Sequence, residues 1–324
     1  LSKRFSREDI ERHAVLLVNR IRRKLRVLSK PFERRNIGAF RIYDRDIPEV
    51  RCVADWYEGR IVLGEYVREQ TEGLPYLETL ADALSAGLPI PRDRIRLRER
   101  RTRPQTGERY RPLAAANELL EVREGPFRFL VDLDSRLDTG LFSDHRKTRL
   151  FVKGTVEGLR VLNLFGYTGA FTVAAASGGA SHTLTIDASP SYTEICRKNL
   201  ALNGFTDSRT HTILRQDVFL FLRGAIRTPD RWDFVICDPP SFTDRTPDGK
   251  VFDIQKDHPD LVRSILPILS PEGRLLFSTN HQRFEPRFQE LPGLSVKELT
   301  QEMLPEDYEG RTPHRSFLLT LNRV

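Results

Sequence analysis

Two apolar runs that each stop abruptly in an unusual turn constrain this chain most. They are Val161-Leu-Asn-Leu-Phe-Gly-Tyr-Thr-Gly169 and Val235-Ile-Cys-Asp-Pro-Pro-Ser-Phe242. A short apolar run bounded by Gly or Pro reads as a strand buried on both faces, as in parallel sheets. From Arg160 onward the sequence alternates such runs with helical segments. The pattern predicts strands over 161–165, 183–186, 211–214, 234–237 and 274–278, and helices over 170–177, 191–202, 218–226 and 254–269. Segments 294–299 and 317–321 read as a closing pair of strands. Alternation of this kind predicts an α/β, Rossmann-like doubly wound parallel sheet. Ligands of such sheets bind outside the carboxyl ends of the strands, where both turns fall.

The first 137 residues follow a different rhythm. Ser6-Arg-Glu-Asp9 predicts a helix N-cap with an acidic first turn. Ile10, Ala14, Leu17, Ile21, Leu25 and Leu28 follow at helical spacing, and the helix is expected to end near Pro31. Strands are expected over 40–43, 50–57 and 61–66, with Glu58-Gly59 as a hairpin turn, then a short helix over 77–84 and a hairpin of 119–122 with 127–131. Arg94-Ile-Arg-Leu-Arg-Glu-Arg100 alternates strictly, so a strand there puts Arg94, Arg96, Arg98 and Arg100 on one face. Four like charges on one face repel unless solvent or a polyanion relieves them, and RNA is the expected partner. The organisation expected is a smaller α+β RNA-binding domain over 1–137 and the doubly wound domain over 138–324.

The net charge is +7 and the sequence pI 9.4, and the basic residues cluster. Arg20, Arg22, Arg23, Lys24 and Arg26 form one cluster and the stretch 92–111 another. Such clusters are the footprint of phosphate binding, so Arg22, Arg23, Lys24 and Arg26 join the strand arginines as candidate RNA contacts. With 39% hydrophobic and 30% charged residues, the chain is not of the disordered class. No apolar run approaches the roughly 18 residues of a membrane span, and no secretory signal is visible. Cys52, Cys196 and Cys237 show no C-x-x-C spacing, which fits a cytoplasmic chain without disulfides or a zinc site. The sequence opens on Leu1 rather than Met, which leaves open whether residues precede it.

Gly166 and Gly169 flank Tyr167-Thr168 directly after the first predicted strand, where glycine lets the backbone approach a ligand. The next strand ends at Asp187, placed to accept from ribose hydroxyls, and the third just before Asp217, placed to accept from an adenine amino group. The full G-x-G-x-x-G pattern is missing, which counts against a nicotinamide dinucleotide. In Asp238-Pro239-Pro240-Ser241-Phe242 two prolines stiffen the loop, and Phe242 offers a face for a stacked base. A cofactor turn beside a base-holding turn suggests methyl transfer to a nucleobase.

Over nearly its whole length the chain resembles the bacterial 23S rRNA guanine-N7 methyltransferases that often form the C-terminal half of a bifunctional K/L enzyme. The residues that carry the resemblance are Arg41-Ile-Tyr-Asp44, Asp46-Ile-Pro-Glu49, Leu137-Asp-Thr-Gly-Leu-Phe-Ser-Asp-His-Arg146, Asn163-Leu-Phe-Gly-Tyr-Thr-Gly169, Asn199-Leu-Ala-Leu-Asn-Gly204, Asp238-Pro-Pro-Ser-Phe242, Phe252-Asp-Ile-Gln255 and Leu299-Thr-Gln301. The resemblance implies S-adenosylmethionine as cofactor, bound among Asn163, Phe165, Gly166, Tyr167, Thr168, Gly169, Asp187, Ser189 and Asp217. It also implies that the segment from Phe142 through Asp144 to Arg146 closes over the cofactor, with Arg146 on its carboxylate. Asp238, Pro239, Pro240, Phe242 and Asn280 are the implied catalytic residues, and 23S rRNA is the implied partner.

Three alternatives are weighed against guanine N7. Cytosine-C5 methylation needs a covalent nucleophile, normally a thiol. In the related enzymes that thiol follows either the fifth strand or the Asp-x-Pro turn, where this chain has Ser278-Thr-Asn280 and Ser241. An exocyclic amine such as guanine N2 remains open, because Asp-Pro-Pro loops also serve that chemistry. A catalytically idle RNA-binding assembly factor has no need of an intact glycine loop, acids and Asp-Pro-Pro-Ser-Phe.

Overall fold

The computed structural model describes residues 4–100, 119–135, 138–243, 249 and 251–322. The basic stretch beyond Arg100 and Leu137 lie outside the described residues. The chain divides into two compact units, Leu1–Ser143 and Asp144–Val324.

The first unit opens with α1 (Arg7–Arg34), closed at its start by a reciprocal cap. Ser6 Oγ accepts from Asp9 N at 3.1 Å, and Asp9 Oδ2 accepts from Ser6 N at 3.0 Å. The helix runs past Pro31, where it was expected to stop. Pro31 brings no N–H to the helix ladder, yet the helix continues through it and the continuation buries Phe32 edge-on against Phe40 at 4.8 Å. Then come β1 (Ala39–Asp44), β2 (Cys52–Tyr57), β3 (Arg60–Tyr66), α2 (Tyr76–Gly87), β4 (Ile95–Arg100), β5 (Leu120–Glu124) and β6 (Phe127–Val131). Strands β1 to β4 form a sheet in that order, antiparallel except for β3 with β4, which α2 connects. Leu17, Ile21 and Phe32 of α1 share a core with Leu80 and Leu84 of α2 and with Ile42, Leu63 and Ile95 of the sheet. Strands β5 and β6 pair as a separate hairpin.

The arginine strand corrects an expectation. Ile95 faces the core as its spacing predicts, but the opposite face of β4 is not a free basic surface. Arg98 is 6% exposed and donates to the Leu133 carbonyl, Arg96 pairs with Asp134, and Arg94 lies in a 3-10 turn before the strand. An alternating pattern defines two faces but not what covers them, and here the 132–135 turn supplies a carboxylate and a carbonyl.

The second unit contains α3 (Arg146–Lys153), β7 (Arg160–Leu164), α4 (Ala170–Ser177), β8 (His182–Asp187), α5 (Pro190–Leu202), β9 (His211–Arg215), α6 (Val218–Ala225) and β10 (Trp232–Cys237). It continues through β11 (Phe242–Thr243), β12 (Phe252–Asp253), α7 (Ile254–Ile265), β13 (Leu269–Thr279), β14 (Leu294–Glu298), α8 (Thr300–Met303) and β15 (Arg315–Leu321). Among the described residues its sheet has seven strands, in the order β14-β15-β13-β10-β7-β8-β9. The run from β13 to β9 is parallel, and β15 is antiparallel to both neighbours. From β7 the chain steps outward through β8 and β9, then returns to lay β10 on the other side of β7. The strand order therefore reverses between β7 and β10, and that reversal places a ligand crevice at their carboxyl ends. The central position of β10 explains its apolar sequence: Phe234, Val235, Ile236 and Cys237 are all fully buried.

Candidate active site

The turn after β7 is held by its own backbone. Phe165, Tyr167 and Gly169 have φ of 55°, 51° and 79°, and left-handed backbone at two non-glycine residues is strained. The strain is secured by hydrogen bonds from Gly166 N to the Ile186 carbonyl at 2.9 Å and from Gly169 N to the Gly166 carbonyl at 2.8 Å. Gly169 is needed twice over, for its positive φ and because a Cβ there would lie 2.2 Å from Cys196 Sγ. Burial pushes the Cys196 thiol up to about 12, so it is an inert packing group.

Asp187, at the end of β8, ties the loop to the next strand. Its Oδ2 accepts from Tyr167 N at 2.9 Å and its Oδ1 from Ser189 N at 2.8 Å. Burial raises the pKa of this carboxyl, and the two N–H donors oppose the rise. Each oxygen keeps lone-pair capacity for one more donor, as a ribose diol requires. Ser189 and Asp217 cap α5 and α6 through Tyr192 N and Leu220 N. Asn163 does not face a ligand. It is 2% exposed and donates to Thr172 Oγ1 at 2.9 Å, inside the layer between β7 and α4, which corrects its placement in the cofactor site. Thr168 is likewise buried, its carbonyl accepting from Asn199 Nδ2 at 2.8 Å.

Side chains, by contrast, organise the turn after β10. Ser278 Oγ, on β13, donates to Asp238 Oδ1 at 2.6 Å, and Ser241 Oγ donates to Asn280 Oδ1 at 2.7 Å. Phe242 is 51% exposed and sits on a two-residue ribbon, paired with Asp253 across β11 and β12. Asp253 also caps α7 through Gln255 N at 3.0 Å, so the ribbon is anchored to a helix start. Pro239 is buried and Pro240 exposed. The carboxyl of Asp238 is pushed up chiefly by desolvation, against the hydrogen bond from Ser278.

Residues 144–146 differ from their expected role. Arg146 is 3% exposed and pairs with the buried Asp307, so its guanidinium is held by this chain's own carboxylate rather than offered to a ligand. Asp144 accepts from His314 Nδ1 at 3.0 Å, and Phe142 is 43% exposed. His145 stacks on His314 with ring centroids 3.8 Å apart and an interplanar angle of 24°. Asp144, His145 and His314 each place one potential ligand atom within 4.8 Å of the others.

Comparison with known proteins decides the family. Residues 39–298 match the model of the S-adenosylmethionine-dependent methyltransferases. The chain belongs to that family. "Ribosomal RNA large subunit methyltransferase K" of Neisseria meningitidis is 38% identical over 92% of this chain and 85% of its own length. "Ribosomal RNA large subunit methyltransferase K/L" of Alcanivorax borkumensis is 36% identical over 90% of this chain, and that of Pseudomonas aeruginosa 36% over 94%. The chain spans only 41% and 42% of those two longer relatives. A solved S-adenosylmethionine-dependent methyltransferase of Streptococcus mutans superimposes with a TM-score of 0.76 at 22% identity, over 95% of this chain and 81% of that one, and shows the same fold.

For a methyltransferase of this family the residues present fit S-adenosylmethionine: Asp187 can take a diol, and the strained 165–169 backbone curls over the end of β7. Several groups at the site were not anticipated from the sequence, namely His145, His314 and the roles of Ser241 and Ser278 as hydrogen-bond donors. His145 stands inside the quoted Asp-His-Arg triplet, but its partner is His314, and no local pattern links the two.

Proposed function

We propose that the chain methylates N7 of a guanine in 23S ribosomal RNA: the names of its relatives support a large-subunit rRNA substrate, and the choice of guanine N7 rests on the resemblance. One observation carries the choice of base chemistry. Neither place where a cytosine-C5 enzyme would hold its thiol, the Ser278-Thr279-Asn280 stretch or Ser241, carries a cysteine, and the Ser278 and Ser241 hydroxyls donate to Asp238 and Asn280. Cys237 precedes Asp238 inside β10, fully buried, with its thiol pushed well up by burial. No cysteine here is a nucleophile.

The same serines define what can be read. Because Ser241 donates to Asn280 Oδ1, the Asn280 amide keeps its NH₂ for an acceptor such as guanine O6, beside N7. An ionised Asp238 accepts from the guanine N1–H and N2–H₂, and Phe242 supports the ring from one face. S-adenosylmethionine, when bound, supplies an electrophilic sulfonium methyl. The N7 lone pair forms the new N–C bond as the methyl C–S bond breaks, and the positive charge passes to the base without loss of a proton. The protein's task is therefore alignment, with the Asp238 carboxylate favouring the developing charge.

For rRNA the outer face of α1 is the better candidate than β4. Arg23, Arg26, Lys30 and Arg34 are exposed at spacings of three and four, which align them as one stripe. Arg22 instead donates to the Gly87 carbonyl at 2.7 Å, and Lys24 is half-buried. No described helix is long and apolar enough to cross a membrane, and a cytoplasmic site of action follows from the proposed substrate. The test is transfer of labelled methyl to protein-free 23S rRNA, followed by borohydride and aniline cleavage. Strand scission at one guanine is expected, and a labelled product resistant to cleavage would point to an exocyclic amine.

A further inference from the structure

The end of β13 carries a turn that base recognition, as described above, leaves without a role. Its residues are Asn280-His281-Gln282-Arg283-Phe284, and it closes with a hydrogen bond from Phe284 N to the His281 carbonyl at 3.2 Å. Both ends are fixed. Ahead of the turn, Ser241 Oγ donates to Asn280 Oδ1 at 2.7 Å and His281 N donates to Thr279 Oγ1 at 3.2 Å. Behind it, Phe284 is buried edge-on against His258 at 4.7 Å, and its carbonyl accepts from Arg315 Nη1 at 2.7 Å. Strand β13 runs parallel to β10 with Phe277 beside Cys237, so the turn stands next to the Asp238 turn at the carboxyl end of the sheet.

The side chains of this turn are unequally spent. The His281 ring lies edge-on to Phe242, with centroids 6.2 Å apart and an interplanar angle of 63°. Its Nδ1 is buried without a hydrogen-bond partner among the described residues. An orphan acceptor is easier to bury than an orphan donor, so Nδ1 is bare and the N–H sits on Nε2. The ring is half-buried, and Nε2 is the nitrogen it leaves to solvent. Gln282 donates its amide to the Asn280 carbonyl at 3.3 Å. Arg283 is exposed, and among the described residues no carboxylate, carbonyl or ring engages its guanidinium. Its neighbours differ: Arg287 pairs with Glu290 and Arg315 with Glu298. An unspent cation and an imidazole donor therefore share one anchored turn, beside the ring proposed to hold the base.

We propose that the 281–284 turn grips the RNA backbone at the methylated nucleotide. Arg283 and the His281 Nε2–H take its phosphate, and the edge of the His281 ring buttresses Phe242 under the base. The proposal rests on the placement of the base at Phe242. A base that must meet a cofactor inside an enzyme leaves its stack and brings its own backbone with it. Holding the phosphate on one side and the ring on the other limits the swing of the nucleotide and aligns the reacting nitrogen. Contacts of this kind add affinity and alignment but carry no sequence preference.

The test is single-turnover methyl transfer to protein-free 23S rRNA, measured against rRNA and salt concentration. Arg283→Ala is expected to raise the half-saturating rRNA concentration about tenfold, the worth of one charge-assisted contact. It should also flatten the log–log salt slope by roughly 0.7–0.9, with calorimetric affinity for S-adenosylmethionine unchanged. Arg283→Lys keeps a point charge for the phosphate and should stay within about threefold of wild type. His281→Ala should lower the plateau rate about tenfold, because Phe242 loses its support. His281→Phe restores the aromatic edge without the donor, so the plateau should recover while half-saturation stays raised. A wild-type half-saturation and slope in Arg283→Ala overturn the proposal, as does a loss that lysine fails to rescue or one confined to cofactor affinity. Equal plateaus in His281→Ala and wild type overturn the buttress. Phosphate-ethylation interference needs no variant: ethylation at a phosphate flanking the methylated nucleotide should exclude RNA chains from the methylated pool, and indifference overturns the grip. A wild type that transfers no methyl to 23S rRNA sinks the proposed function and this inference together. An active wild type with an indifferent Arg283→Ala sinks the grip alone.

Discussion

The turn after β7 and the turn after β10 lie on neighbouring parallel strands, in register at Leu164 and Cys237, yet they are built from different materials. The first is held by hydrogen bonds to its main chain, made by other backbone groups and by the Asp187 and Asn199 side chains, by positive φ angles and by the packing of Gly169 on Cys196. The second is held by hydroxyl-to-carboxylate and hydroxyl-to-amide bonds and carries a half-exposed phenylalanine. The difference fits the roles proposed for the two turns, cofactor for the first and base for the second. A cofactor of fixed shape can be met by a rigid backbone, whereas telling one base from another needs side-chain donors and acceptors placed on its edge.

That contrast is broken or sharpened by mutation. The largest effect is expected of Gly169→Val, which combines a forbidden φ with a collision against Cys196. Cofactor binding should vanish in calorimetry, with a lowered melting temperature, and a folded variant of wild-type affinity would disprove the backbone-held turn. Next, Asp238→Ala and Phe242→Ala should each lower the single-turnover rate about 100-fold while the cofactor still binds, because only base alignment is lost. If affinity for S-adenosylmethionine fell instead, the two turns would not be separable in function.

Asp187→Ala should weaken cofactor binding by about 1.5–3 kcal/mol, the usual worth of a hydrogen bond to a charged group. Unchanged binding would mean that the carboxylate serves only the loop. Replacing Arg23, Arg26 and Lys30 with alanine should reduce the log–log salt slope of rRNA binding by roughly 0.7–0.9 per lost phosphate contact. An unaltered slope would leave the α1 stripe as a solvated surface. The smallest effect belongs to Cys52, Cys196 and Cys237 changed together to alanine. The rate should stay within about threefold of wild type, since no covalent intermediate forms. Loss traced to Cys237 alone would revive a nucleophilic mechanism.

The strands of the second unit were legible because their signals are local. The β7 and β10 segments are short apolar runs with turn residues at their ends, and the helix over 170–177 coincides with α4. The Asp-Pro-Pro turn was legible for the same reason, since proline fixes its own backbone. The glycine turn was legible because its positive φ angles call for the residues that mark it. Asn163 sits in the quoted motif yet faces the core, because a strand residue at a turn can point either way and Thr172 waits on the buried side.

Sequence alone determined the order of elements, the two turns and the absence of a thiol where a nucleophile would stand. Tertiary structure decided which charges are spent internally. Arg98 is held by a carbonyl 35 residues away, Arg146 by a carboxylate 161 residues away, and Asp144 by an imidazole 170 residues away. Helical and strand periodicity report only which side of an element a residue occupies. Ion pairing and burial depend on distance in space, and that distance exists only once each unit has folded and brought residues far apart in sequence side by side.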